Sequence, residues 1–196
     1  RKGPCLLDLP IDVQQAEIDP DQLEPFDARE HWQQDAIADA FYIAEFGAKY
    51  LADLERAKRP VMLIGGGVRS ANAVEAFREF ACKMQMPVFP TYNSLDVVTS
   101  DFPWYGGRIG TYGASGRNIG LQKSDLLLAV GTRISGRITG GKPSTFAPKA
   151  KKYLVEIDDG LLQKQFQQGP FDEMLKADAG LFFRRMTHCV GENSCP

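Results

Sequence analysis

Four short runs constrain this chain most: VMLI (61–64), PVFP (87–90), LLLAV (126–130) and YLVEI (153–157), with a weaker fifth, MLKAD (174–178). Each is too short for a helix and too continuously apolar for a strand with one wet face. Such runs belong to strands covered on both sides, as in parallel sheets. The segments between them carry helical spacing. Ala73, Val74, Phe77, Phe80 and Ala81 make one stripe of a helix predicted over 71–84. Asp159 to Phe166 reads as a short helix and 179–190 as a closing one. Upstream, Ala36, Ala40, Ile43, Ala44, Tyr50, Leu51 and Leu54 predict a helix within 33–58, with a kink or break at Gly47. Parallel strands need crossover connections, and helices supply them. The expected fold class is therefore α/β: an open, mainly parallel sheet with helices on both faces.

Composition narrows the function classes. The 196 residues are 43% hydrophobic and 24% charged, ordinary for a globular chain, and the net charge of −2 leaves no basic stripe. Nucleic acid is not an expected partner. No run approaches the roughly 18 apolar residues of a membrane span, so no membrane is expected either. No signal-peptide pattern opens the sequence, and a cytoplasmic location is expected. Cys5, Cys82, Cys189 and Cys195 show no C-x-x-C pairing; they are expected to be reduced, with a Cys189–Cys195 bridge as the alternative. His31 and His188 are too few and too distant to indicate a metal site.

The first strand runs into 65-GGGVRS-70. A glycine turn between a strand and a helix can offer free amides and a helix dipole to a phosphate. Gly65 and Gly67 fit the first two positions of G-x-G-x-x-G, but Ser70 occupies the third and reads as the N-cap of the next helix. The acid expected about 20 residues on is missing, since the second strand ends 88-VFPTYN-93. A standard dinucleotide site is disfavoured, and a tight reversal is the plain alternative.

Other signals fall on the same predicted sheet edge. After the third strand, 131-GTRISGRITGG-141 sets Arg133 and Arg137 among glycines, a pattern suited to phosphates or a planar ring. After the fourth, 155-VEIDD-159 offers acids that can bind ribose hydroxyls or cap the following helix. Residues 91–122 carry six glycines and one helical stretch near 115–122. A connection that long is usually functional, and it leaves from the carboxyl end of a strand, where open parallel sheets bind ligands.

The chain opens at Arg1 directly into a strand-like run, 4-PCLLDLPIDV-13, followed by a polar, Pro-containing linker. The numbering is therefore expected to begin inside a longer polypeptide. The expected organisation is a terminal strand of a preceding domain (1–13), a linker (14–32), an α/β domain (33–190) and a tail (191–196).

In this order the motifs resemble a known group. The stretch 3-GPCLLDLPIDVQ-14 resembles the last strand of the pyrimidine-binding domain of thiamine-diphosphate-dependent enzymes of the acetolactate synthase group. Then 57-AKRPVMLIGGGV-68, 110-GTYGASG-116, 124-SDLLLAVGTRISGRITG-140 and 149-KAKKYLVEID-158 resemble successive motifs of that group's Rossmann-like central domain. The resemblance implies a domain of a parent enzyme, a homodimer or homotetramer, that decarboxylates or ligates small 2-keto acids with thiamine diphosphate and Mg²⁺. It implies that the central domain holds FAD or ADP, or serves only as scaffold. It carries cofactor-binding roles to Arg1, Gly65, Gly66, Gly67, Thr91, Arg133, Arg137, Glu156 and Asp178. No catalytic or metal-ligating residue carries over: the group's G-D-G and Asn-Asn motifs occur nowhere in this sequence. The chain alone is expected to be inactive. The alternative is a free-standing nucleotide-binding module of sirtuin-like or electron-transfer-flavoprotein-like topology.

Overall fold

The computed structural model describes residues 4–25, 36–169 and 171–190. Five strands form one sheet: β1 (Pro60–Ile64), β2 (Val88–Pro90), β3 (Leu126–Val130), β4 (Lys151–Glu156) and β5 (Glu173–Lys176). Their order is β2-β1-β3-β4-β5, and every pairing is parallel. The register aligns Ile64 with both Pro90 and Val130, and Val130 with Val155, so the carboxyl ends finish at one rim. Eight helices are described: α1 (Ile11–Gln15), α2 (Ala36–Leu54), α3 (Gly67–Ser70), α4 (Val74–Met84), α5 (Ser115–Gln122), α6 (Gly136–Thr139), α7 (Asp159–Gln168) and α8 (Ala179–Cys189).

The two-residue period of the strands divides the core in two. Met62, Ile64, Leu128, Val130, Tyr153 and Val155 face one side, under Phe46, Phe77, Phe80, Phe182 and Phe183 of α2, α4 and α8. Val61, Leu63, Leu127, Ala129 and Leu154 face the other, with Leu121, Ile134 and Phe146. All five residues of β3 are buried. The helices thus lie on both faces, as the continuous apolar runs require. On the first face the rings meet edge-on, with Phe46 5.2 Å from Tyr153 and Phe77 5.5 Å from Phe183 between centroids.

The amino end of the sheet is tied to α2 by charge. The Asp53 carboxylate accepts from the Tyr153 hydroxyl and pairs with Lys151 Nζ at 2.6 Å. Next to it, Asp125 accepts from the amides of Lys58 (3.0 Å) and Arg59 (2.8 Å), fixing the chain where it enters β1.

Part of the long 91–122 segment covers a sheet edge. Val88 N donates to the Trp104 carbonyl and Gly106 N to that of Val88, each at 2.8 Å, so residues 104–106 close the outer side of β2.

Several expectations are corrected. Residues 4–10 form no strand, and Ile11–Gln15 are helical; Leu6 and Leu7 are 97% and 77% exposed. A strand needs a neighbour's ladder, and none of the five pairs with this segment. Gly47 does not interrupt α2: a Cβ there would stand 2.5 Å from Met186 Sδ, so the glycine lets α2 approach α8. Ser70 caps no helix, because Asn72 turns left-handed (φ 52°) and α4 starts only at Val74. Cys82 is disulfide-bonded, while Cys5 and Cys189 are free thiols, so neither four reduced cysteines nor a Cys189–Cys195 bridge holds. Arg1, His31, Cys195 and the tail 191–196 lie outside the described residues.

Candidate functional site

A cleft of about 1600 Å³ opens at the carboxyl ends of the strands. With the order 2-1-3-4-5 the connections leave β1 and β3 toward opposite faces, and ligands of open α/β sheets bind in that crevice. Gly66, Gly67, Thr91, Arg133, Arg137, Glu156 and Asp178 all line it. Seven of the nine residues singled out from the sequence are therefore brought together. Gly65 lies buried behind the wall, and Arg1 falls outside the described residues.

The glycine turn has a local explanation. A Cβ on Gly65 would stand 2.1 Å from the Gly131 carbonyl oxygen, and one on Gly67 would stand 2.6 Å from Gly131 Cα. From the other side, a Cβ on Gly131, at φ 61°, would stand 2.9 Å from Gly67 Cα. The turns after β1 and β3 thus touch backbone to backbone. Several amides of this turn are engaged within the protein. Gly65 N donates to Val130 O (3.0 Å), Gly67 N to Gly131 O (2.9 Å), Val68 N to Gly65 O (3.2 Å) and Ser70 N to Gly66 O (3.0 Å). α3 is a single four-residue turn. Of the two readings left open, the packing supports the tight reversal, and the triplet also leaves the cleft wall bare of side chains.

Charge is divided across the cleft. On the β1 and β3 side stand Arg69, Arg133 and Arg137. Arg69 pairs with Asp96, whereas neither Arg133 nor Arg137 has a carboxylate partner among the described residues. On the β4 and β5 side, Glu156 is only 8% exposed, and its Oε1 accepts from Ile157 N at 3.0 Å. Asp178 Oδ1 caps α8 by accepting from Leu181 N (3.0 Å), and Asp158 caps α7 through Leu161 N (2.9 Å). The capping reading of 155-VEIDD-159 thus holds for Asp158, while Asp159 pairs with Lys176 at 2.7 Å. Thr91 is buried, its hydroxyl 3.4 Å from that of Ser94, which bonds the end of β1 through Ile64 O at 2.6 Å.

Sequence reasoning missed Arg69 and Tyr92. Arg69 stands two residues past the glycine triplet and Tyr92 next to Thr91, so position relative to a strand end was the available signal. Tyr92 lines the cleft, and its hydroxyl accepts from Tyr112 N (3.2 Å), drawing residues 107–113 to the rim. Among the described residues no three His, Cys, Asp or Glu side chains gather as metal ligands. No described helix is long and apolar enough to cross a membrane.

The sequence matches the family described as thiamine pyrophosphate enzyme, central domain, over residues 48–186. The chain belongs to that family. This central domain is similar to the acetolactate synthase isozyme 2 large subunit of Escherichia coli K12, with 36% identity over 182 residues, covering 90% of this chain and 31% of the relative. It is similar to the acetolactate synthase large subunit of Parasynechococcus marenigrum, at 32% over 193 residues, covering 95% and 29%. Glyoxylate carboligase of Escherichia coli O157:H7 is 36% identical over 143 residues, covering 71% and 23%. The central domain thus spans under a third of the length of these relatives. The five-stranded parallel sheet agrees with the family, and the free-standing sirtuin-like or flavoprotein-like module is set aside.

Proposed function

We propose that this central domain holds an adenine nucleotide, either ADP or the ADP half of FAD, within an acetolactate synthase-like enzyme. The observation that carries the reading is the divided cleft: Arg133 and Arg137, with no carboxylate partner among the described residues, on one side, and the buried Glu156 on the other. A diphosphate suits the guanidiniums, which grip two oxygens at once. Ribose hydroxyls suit Glu156, which keeps acceptor capacity beyond its bond to Ile157 N. Gly66 and Gly67 let the ligand approach bare backbone. The residues present therefore fit a nucleotide. For Mg²⁺, no three His, Cys, Asp or Glu side chains gather among the described residues to form a protein-built site.

In the same proposal, residues 33–190 form the central domain of a parent chain, 14–32 a linker, and 1–13 the end of a pyrimidine-binding domain. The parent, a homodimer or homotetramer, decarboxylates or ligates small 2-keto acids, with thiamine diphosphate and Mg²⁺ held outside this domain. When bound in the parent, thiamine diphosphate supplies the carbanion chemistry. The residues of this chain contribute nucleotide binding and scaffold, in the cytoplasm.

Ligand-dependent unfolding tests the nucleotide site. ADP at 100 times its dissociation constant should stabilise the protein by about 2.7 kcal/mol. The R133A/R137A double variant should lose that gain. A flavin absorbance in the purified protein would select FAD. No stabilisation by either ligand would reduce the domain to scaffold. Pyruvate turnover by these 196 residues alone, with thiamine diphosphate and Mg²⁺ added, would overturn the assignment of the chemistry to other parts of the parent.

A further inference from the structure

We propose that Gln165 is a positioning residue of the cleft: its buried amide holds the backbone kink at Ile134 that sets the direction of Arg133. The proposal rests on the nucleotide reading only for what Arg133 binds.

The observation begins with a misplaced polarity. On α7, Phe166 is 77% exposed, whereas Gln165 is 3% exposed and is the one buried side chain among those described on that helix. A primary amide at a buried position must find partners inside the protein. Gln165 Nε2 donates to the Arg133 carbonyl at 3.1 Å, 32 residues away in sequence.

That carbonyl precedes a strained residue. Ile134 has φ 46°, in the left-handed region, where a β-branched side chain is a true outlier. Such a conformation persists only where the surroundings over-determine it, and it concentrates at binding sites. Three constraints meet here. Upstream, Gly131 is pinned against Gly67. Downstream, Ser135 starts α6 by accepting from Ile138 N at 2.8 Å. Between them the Ile134 side chain is packed in the core, and Gln165 fixes the peptide before it. Release of that peptide would let the segment relax toward ordinary φ values and swing Arg133 relative to Arg137. Gln165 itself carries no charge and acts only through the backbone.

The test uses the whole 196-residue protein with ADP as the probe. Q165M keeps the side-chain volume and removes the donor. Without any ligand, amide hydrogen exchange should quicken across residues 131–138 and stay unchanged in β3 and β4. Affinity for ADP should fall about tenfold, the effect of one well-placed hydrogen bond. The melting temperature should fall by no more than about 4 °C. In an R133A background, Q165M should weaken ADP no further, because the two act as one unit; a merely structural loss would add. K164M, on the exposed face of α7, should change nothing. Should Q165M not fold, Q165E supplies the same shape with an acceptor facing the carbonyl, and should loosen 131–138 as well. Unchanged exchange at 131–138, or additive losses with R133A, would overturn the proposal. Should the wild type itself fail to bind ADP, the nucleotide reading falls, and exchange alone decides whether Gln165 holds the kink.

Discussion

Replacing Gly65 by alanine tests the claim that the glycine triplet serves packing. The added Cβ would lie 2.1 Å from Gly131 O, 2.5 Å from Thr132 Cβ and 2.6 Å from Thr132 Cα. These neighbours include backbone atoms at the end of a fully buried strand, so no flexible side chain can yield. Relief requires the two turns to part by about 1 Å or more, given that carbon contacts settle near 3.5 Å. That displacement carries Gly65 N···Val130 O and Gly67 N···Gly131 O, now 3.0 and 2.9 Å, out of hydrogen-bonding range. Overpacking costs about 1–3 kcal/mol, and two lost backbone bonds add about 1 kcal/mol each. The sum, about 3–5 kcal/mol, is a large share of the 5–15 kcal/mol that usually holds a domain together. With a urea slope near 2 kcal/mol/M, the unfolding midpoint read by circular dichroism should fall by about 2 M. Gly116, second residue of α5 with nothing near its missing Cβ, is the control. G116A should be neutral or stabilise by about 0.5 kcal/mol through helix propensity. A G65A midpoint within about 0.3 M of wild type would refute the reasoning and return the triplet to a ligand-only role.

Acid should loosen the amino end of the sheet. The Lys151 ammonium, then the Tyr153 hydroxyl, hold the Asp53 carboxyl below its ordinary value. Burial pushes Asp125 up, but the amides of Arg59 and Lys58 outweigh it and leave that carboxyl low as well. A depressed folded value gives stability that is present above the unfolded value of about 3.9 and lost as pH falls through the folded one. Thermal unfolding should therefore be flat above about pH 5 and weaken below about pH 4, and D53N should flatten that acid limb; an unchanged limb would count against the Asp53 latch. Y153F removes the donor to Asp53 while leaving the ring in place, and should cost about 1–2 kcal/mol in denaturant unfolding. Asn118 clasps the 107–113 loop, accepting from Gly110 N at 2.8 Å and donating to Gly110 O at 3.1 Å. N118A should lose about 2 kcal/mol and speed chymotryptic cleavage at the exposed Tyr112, and equal cleavage would dismiss the clasp.

The parts of this domain legible in its sequence are those fixed by period and burial. VMLI and LLLAV could be nothing but covered strands, because no half-exposed element tolerates so many apolar neighbours in a row. From parallel strands follows a shared carboxyl rim, which is why Arg133, Glu156 and Asp178, remote in sequence, could be expected on one cleft. What escaped was set by contacts between distant segments. Gly47 looked like a break until Met186 of α8 was seen to occupy the missing side chain's place. The glycine triplet left a phosphate turn and a tight reversal both open, and the reason for the reversal, Gly131 packed against it, lies 64 residues after Gly67. Gln165 gave no signal, since a glutamine beside a phenylalanine on a short helix reads as the wet face, and only the carbonyl of Arg133 explains its burial. The run 4-PCLLDLPIDV-13 is the opposite case: its local pattern suits a strand, but no ladder among the described residues receives it. Propensity states what a segment can become; in each of these cases the partner decided. The cleft is the sharpest instance, since its glycines are set by packing between two turns, while Arg133 and Arg137 line it with no carboxylate partner among the described residues.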